Sequence, residues 1–252
     1  MRKVLSLSAA ACLVLTLAGR APAQDENRGV IAKAIKATGG EKKLAKLKAA
    51  KSKFKGTGEF AGAAVAMTGE ITHQMPGRIR IEVQVEVQGQ NLTVLYALNG
   101  KKAWLQAAGE TMELKGEELD DIKEELHAEY VQTLVPLLKD KAYALDALGE
   151  IKINHRPAVG IRVTSKGHKD VNLYFDKATG LLTKSERRAL DDAKKEITEE
   201  TFYSDYKDVD GVKVPMKVVV HHDGKKFLEM EITEHRFLDQ IDDSEFARPG
   251  GE

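Results

Sequence analysis

The chain is poor in the residues that mark several common protein classes. One cysteine, Cys12, and six prolines stand among 252 residues. So little cysteine excludes a disulfide-stapled scaffold, and so little proline excludes a proline-rich linker. Charge of one sign is also lacking: 39 Lys and Arg face 39 Asp and Glu. That balance argues against a nucleic-acid partner, which normally calls for a basic excess. Long apolar runs are missing except at the start. There is no His-Glu-x-x-His, no Gly-x-Ser-x-Gly and no phosphate-binding glycine loop, since Gly39-Gly40 lacks a following Lys-Ser/Thr.

What is present begins with a short leader. Arg2 and Lys3 precede an apolar run from Val4 to Ala18, and Ala21-Pro22-Ala23 follows with small residues. The run is about 15 residues, short of the roughly 20 that a membrane-spanning helix needs. It reads as an export signal over residues 1–23, cleaved after Ala23, with residues 24–252 as a single domain in the periplasm. Lipidation at Cys12 is disfavoured, because Ala9 stands where a leucine is expected and cleavage there would leave Leu13 to Leu17 on the mature chain. Removing Arg2, Lys3 and Arg20 leaves a net charge of −3 and no thiol. Neither thiol catalysis nor metal binding through Cys is then open to the mature chain.

Residues 27–48 show helical spacing. Val30, Ile31, Ala34 and Ile35 share a face, and Gly39-Gly40 ends the first helix and lets a short second one begin. The period then becomes two. From Arg78 to Gln88 every odd position is apolar and every even one polar, the pattern of a strand with one dry face. Further strands are expected at 52–60, 63–75, 92–98, 101–107 and 110–115. After residue 147 they continue at 149–155, 158–165, 169–176, 181–190, 195–206, 211–222 and 225–237. Turn signals such as Asn99-Gly100, Lys166-Gly167, Asp210-Gly211 and Asp223-Gly224 make neighbours antiparallel. Between the two groups, residues 117–139 return to helical spacing, with Leu119, Ile122, Leu126, Tyr130, Leu134 and Leu137 on one stripe. The acidic run from Glu117 to Glu125 reads as a solvated face, and Pro136 should kink or end this helix near Val135.

These elements define a mainly β (α+β) fold whose sheet is too large for its helices. About ten strands of ~7 residues make a dry face of about 1,150 Å². Helices of this length cover about half of it, each sheltering roughly 300 Å². The remainder must curl over itself, as a strongly curved antiparallel half-open barrel with an N-terminal helix and a central helical lid. A curled sheet can be filled by its own side chains or left hollow. The hollow alternative places Ile79, Ile81, Val83, Val85, Val87, Val218 and Val220 on the cavity lining, and Ile122, Leu126, Tyr130 and Leu134 on the lid.

Two C-terminal segments add a resemblance. Asn172-Leu173-Tyr174-Phe175-Asp176-Lys177-Ala178-Thr179-Gly180-Leu181-Leu182-Thr183-Lys184 is one, and Phe202-Tyr203-Ser204-Asp205-Tyr206-Lys207-Asp208-Val209-Asp210-Gly211-Val212-Lys213-Val214-Pro215 is the other. With the closing Ile241-Asp242-Asp243-Ser244-Glu245-Phe246 and Pro249, and the early Ala37-Thr38-Gly39-Gly40-Glu41-Lys42-Lys43-Leu44, they resemble the outer-membrane lipoprotein-sorting group, relatives of the periplasmic carriers LolA and LolB. The resemblance implies a half-open barrel with a helical lid and an apolar cavity for acyl chains. Its motifs are turn chemistry, so no ligand-contacting residue is carried over. The expected function is a non-enzymatic periplasmic carrier or binding protein for lipid or lipidated protein. Its partners would be acyl chains and envelope membrane proteins, without nucleic acid, cofactor or metal. The alternatives are a filled barrel acting as an envelope adaptor, and a hydrolase, which would show a buried polar cluster inside the sheet.

Overall fold

The computed structural model describes residues 21–60, 63–87, 89–191 and 193–251. The expected signal over residues 1–23 lies almost wholly outside them. A helix α1 (Ala21–Thr38) buries Ile31, Ala34 and Ile35. It stops at Gly39-Gly40, both at positive φ, and a single turn α2 (Glu41–Leu44) follows. Gly39 has a second reason to lack a side chain: a Cβ there would lie 2.8 Å from the Gly211 carbonyl oxygen.

Six strands come next: β1 (Ala49–Phe60), β2 (Ala63–Gln74), β3 (Arg78–Val87), β4 (Gln90–Asn99), β5 (Lys102–Ala107) and β6 (Glu110–Leu114). Two helices follow, α3 (Glu117–Val131) and α4 (Val135–Lys139). Seven more strands complete the chain: β7 (Tyr143–Ile153), β8 (Arg156–Ser165), β9 (Val171–Asp176), β10 (Leu182–Leu190), β11 (Glu196–Val209), β12 (Val212–His222) and β13 (Lys225–Leu238). A 3₁₀ turn at Asp243–Phe246 tucks Phe246 inside. The turn residues do as expected. Asp210-Gly211 and Asp223-Gly224 have positive φ at both positions, the conformation that matches strand twist in a two-residue hairpin.

All strands join one antiparallel sheet in the order β6-β5-β4-β3-β2-β1-β13-β12-β11-β10-β9-β8-β7. Two meanders are therefore welded through β1 and β13, with Ala49 opposite Leu238 and Gly58 opposite Leu228. The outer edges β6 and β7 do not pair, so the sheet is open rather than a closed barrel. It is nevertheless strongly curled. Leu126 of α3 packs in one cluster with Ile79, Leu98, Ala103 and Leu114 of β3–β6. Ala128 and Val131 of the same helix pack with Leu145, Ile161, Val163, Val171 and Leu173 of β7–β9. Laid flat, β5 and β8 would sit roughly 48 Å apart at ~4.8 Å per strand. A 15-residue helix is about 22 Å long, so it reaches both only if the sheet bends around it.

Three expectations need correction. All thirteen expected segments are strands among the described residues, so the area reckoned from about ten strands is too small and the excess over the helices is larger. Strand β7 starts at Tyr143 rather than 149, because a register shift between Ala147 and Gly149 interrupts its alternation. The central helix is two helices. Leu134 takes φ 65, and Pro136 lies in the first turn of α4 instead of ending α3. Proline is well placed there, since first-turn N–H groups have no helical partner to lose.

Gly69 on β2 shows how closely this wall is packed. A Cβ at Gly69 would fall 2.6 Å from Cζ of Phe54 and 2.2 Å from the Glu82 carbonyl oxygen. Gly69→Ala should therefore lower stability by about 2 kcal/mol or more. A urea midpoint equal to that of the unsubstituted protein would contradict this packing.

Candidate functional site

The inner faces of β1–β3 and β10–β13 and the underside of α3 border a half-open cavity of about 510 Å³. One wall is apolar: Phe54, Met67, Ile71, Ile81 and Val83 on β1–β3, and Val218, Val220, Leu228, Met230 and Ile232 on β12–β13. The period-two pattern produces this wall directly, because alternate residues of a strand point to one face. The other wall is polar. Glu125, Glu129 and Gln132 come down from the helical segment; Ser185, Arg187, Glu199, Thr201 and Tyr203 rise from β10–β11. A smaller space of about 260 Å³ adjoins at His73, Met75, Gln132 and Thr133. Toward the other end of the strands, Met67 and Met230 also border a wider space of about 1130 Å³ that includes Val85.

The residues expected to line the cavity or form the lid fall in different places. Ile81, Val83, Val218 and Val220 are on the cavity wall. Ile79 is buried beneath the helix with Leu126, and Ile81 and Ile122 pack around the same cluster. Val85 is buried near the wider space. Val87 pairs with Gln90 through its backbone, and its side chain lies outside the described residues. Tyr130 instead faces a separate space of about 420 Å³ on another side of α3. Leu134 is buried against α1 and the β7–β9 end of the sheet. Here α3 is also tied to the β8–β9 turn. The carboxylate of Glu124 accepts from the Lys169 amide at 2.8 Å and meets His168 Nδ1 at 2.9 Å. His127 stacks on His168 with ring centres 3.6 Å apart.

The polar wall was not anticipated. Glu117, Glu118 and Asp120 are exposed, as a solvated face requires, but Asp121 and Glu125 are not, and Glu129 continues their row. Spaced four apart, these three acids share one side of α3. They approach Arg187, whose Nε donates to Glu199 at 2.7 Å across the β10–β11 ladder. His222 Nε2 lies 3.5 Å from the other oxygen of Glu199. Burial alone would weaken the charge on Arg187 and on Glu199. Their mutual contact, aided by His222, reverses both effects and holds each ionised. Glu125 and Glu129 have no such pairing. Burial raises Glu125 despite the nearby arginine, and burial together with Glu125 lifts Glu129 to about 8. Tyr203, bonded to Ser185 at 3.0 Å, is pushed up to about 12 by burial.

Across the cavity two histidines meet that are 162 positions apart in sequence. His73 is opposite Ala50 and His235 opposite Ser52, so β1 brings β2 and β13 together at this point. His235 Nδ1 bonds to Ser52 Oγ at 2.8 Å, and its Nε2 is buried without a partner. Burial, then the neighbouring His235, pushes His73 down to about 4. Among the described residues no group of three or more His, Cys, Asp or Glu is arranged to hold a metal ion. Of the resemblance motifs, Tyr203 reaches the cavity and Val212 to Pro215 border the smaller adjoining space, while the Asp176 turn is structural. Asp176 accepts from Arg156 Nε at 2.7 Å, the Thr179 amide at 2.8 Å and the Thr179 hydroxyl at 3.0 Å, which fixes the Asp176–Gly180 turn.

No protein-family model matches the sequence, and no curated protein matches it significantly. Solved structures do match. A DUF1329 family protein from Desulfovibrio piger superposes with a TM-score of 0.58 at 11% identity, over 89% of this chain and 97% of that one. A LolA superfamily protein from Nitrosomonas europaea gives 0.55 at 9% identity, over 88% and 97%. An outer membrane lipoprotein-sorting protein domain from Vibrio parahaemolyticus gives 0.52 at 10%, again over 88% and 97%. The fold is thus that of the LolA-like, open-sheet group which the C-terminal motifs resemble.

The two buried titrations act in opposite directions on stability. Glu129 is raised, so its folded form holds a proton that the unfolded chain gives up; stability is lost as pH rises from the ordinary carboxylate value toward about 8. His73 is lowered, so stability is lost as pH falls from the ordinary imidazole value toward about 4. The two limbs overlap and offset each other between the ordinary values of 4.5 and 6.5, so thermal melts across pH should be highest there and fall on either side. Glu129→Gln should flatten the alkaline limb, gaining on the order of 2 kcal/mol near pH 8. An unchanged alkaline limb in that variant would rule out a buried, unpaired Glu129.

Proposed function

We propose that this protein is an exported, periplasmic, non-enzymatic carrier or binding protein for lipids or lipidated proteins. The supporting observation is the cavity itself: about 510 Å³ under a bridging helix, with a continuous apolar wall. That size lies within the range of roughly 300–1,000 Å³ typical of small-molecule sites. Moving an acyl chain through water costs about 0.8 kcal/mol per methylene, on the order of 10 kcal/mol for fourteen carbons. A wall built from Ile81, Val83, Val218, Val220 and their neighbours offsets that cost. The bridging helix supplies cover that can move without breaking the sheet. The fold shared with a lipoprotein-sorting domain supports the same reading, and its envelope setting suits the export signal expected over residues 1–23.

The filled adaptor is disfavoured by the hollow interior. The hydrolase alternative gains something, since a buried polar cluster does exist. Yet Ser185 is bonded to a tyrosine held un-ionised, and Ser52 contacts a histidine whose other nitrogen no carboxylate orients. A working nucleophile needs a base that is itself positioned.

The test is uptake of a fluorescent fatty acid, with native mass spectrometry of protein purified from the periplasm. A co-purifying acyl species and saturable uptake are expected. Val83→Phe with Val218→Phe should fill the cavity and weaken uptake by about tenfold while leaving the fold intact. Absence of any acyl species together with absence of uptake would defeat the proposal.

A further inference from the structure

The carrier reading leaves the polar wall unexplained, and the wall has a definite sign. Four carboxyls gather there: Asp121, Glu125 and Glu129 from α3, and Glu199 from β11. Opposing them on β10 is Arg187, already engaged by Glu199. The two histidines across the space bring no positive charge near neutral pH, since burial lowers both. His222 of β12 touches Glu199 and not the α3 acids. Tyr203 of β11 carries no charge in this range. One guanidinium thus faces four acids, with His222 assisting only at Glu199.

The shortage is visible in individual atoms. Glu129 is half-buried and lines the cavity, and its carboxyl makes no hydrogen bond or ion pair among the described residues. Glu125 beside it is in the same condition. Asp121 Oδ1 is buried with no partner. Buried carboxyls are ordinarily paired, because an unpaired one is costly. Without a counter-ion, the cluster lowers its charge by keeping protons. A cation placed between Glu125 and Glu129 would remove the need for them. The same cavity offers a long apolar surface opposite, starting at Ile71 and running by Val83 to Met230.

We infer that the cavity takes amphiphiles with a cationic head, an amine or quaternary ammonium, seated at Glu125 and Glu129 with the tail along the β1–β3 and β12–β13 wall. This rests on the carrier reading and names its ligand class. Binding a cation competes with the protons on these acids. Affinity should therefore rise with pH through the range in which Glu129 ionises. An anionic head would meet the opposite field, so an acyl chain carrying one should still enter along the apolar wall but bind more weakly than its cationic counterpart.

Three twelve-carbon probes separate the possibilities: dodecyltrimethylammonium, dodecanoate and uncharged monolauroylglycerol, titrated calorimetrically into the full protein. At about pH 9 the ammonium should bind about tenfold or more tighter than the carboxylate, and at about pH 6 that preference should shrink. Glu125→Gln with Glu129→Gln should abolish the preference and its pH dependence, with a cooperative thermal melt reporting that the variant is folded. Equal or tighter binding of dodecanoate, or a preference that survives both substitutions, would overturn the inference and leave the carrier reading standing. Failure of all three probes to bind would overturn both.

Discussion

The whole architecture turns on a connection that has to cross the sheet. Strand β6 ends at one edge and β7 begins at the other, and only residues 115–142 lie between them. This segment must pass over one face from edge to edge. It carries apolar residues at helical spacing, so it crosses as α3 and α4 and packs on both ends of the sheet. The sheet can satisfy both contacts only by curling. Its edges are then held apart by the very segment that joins them. An open sheet, a helix tethered at both ends and a space beneath it are consequences of one constraint.

The space is unequal on its two sides for local reasons. Strict alternation on β3, and its counterpart on β12, lays β-branched side chains on one wall. On β10 and β11 the inward positions carry Ser185, Arg187, Glu199 and Tyr203 instead, and α3 adds Glu125 and Glu129. Burying these groups lowers stability, and an apolar replacement of similar shape would often be as stable or more so. A costly wall facing a cavity is better explained by what enters the cavity than by the fold.

Much of the fold was legible. Period two, Asp-Gly and Asn-Gly turns and the Gly39-Gly40 stop are local signals, and each marks its element closely. The break near Val135 was legible from Pro136; the positive φ of Leu134 was not, because Leu134 is packed into the α1 and β7–β9 cluster while Leu126 is held at the other end. The site was half legible. Ile81, Val83, Val218 and Val220 follow from alternation. Glu125 and Glu129 did not, because an acidic helix face looks the same in sequence whether it meets water or a cavity. Their four-residue spacing with Asp121, and charged residues at inward strand positions such as Arg187 and Glu199, were the available signals. The meeting of His73 and His235 depends on β1 pairing with β13, a contact between the two ends of the chain that no local pattern records.

The most direct measurement is methyl NMR of the protein with a ¹³C-labelled acyl chain. The account predicts intermolecular nuclear Overhauser contacts from chain methylenes to the methyl groups of Ile81, Val83, Val218 and Val220. A chain that shows contacts only to outward-facing methyls, or to none, would contradict it.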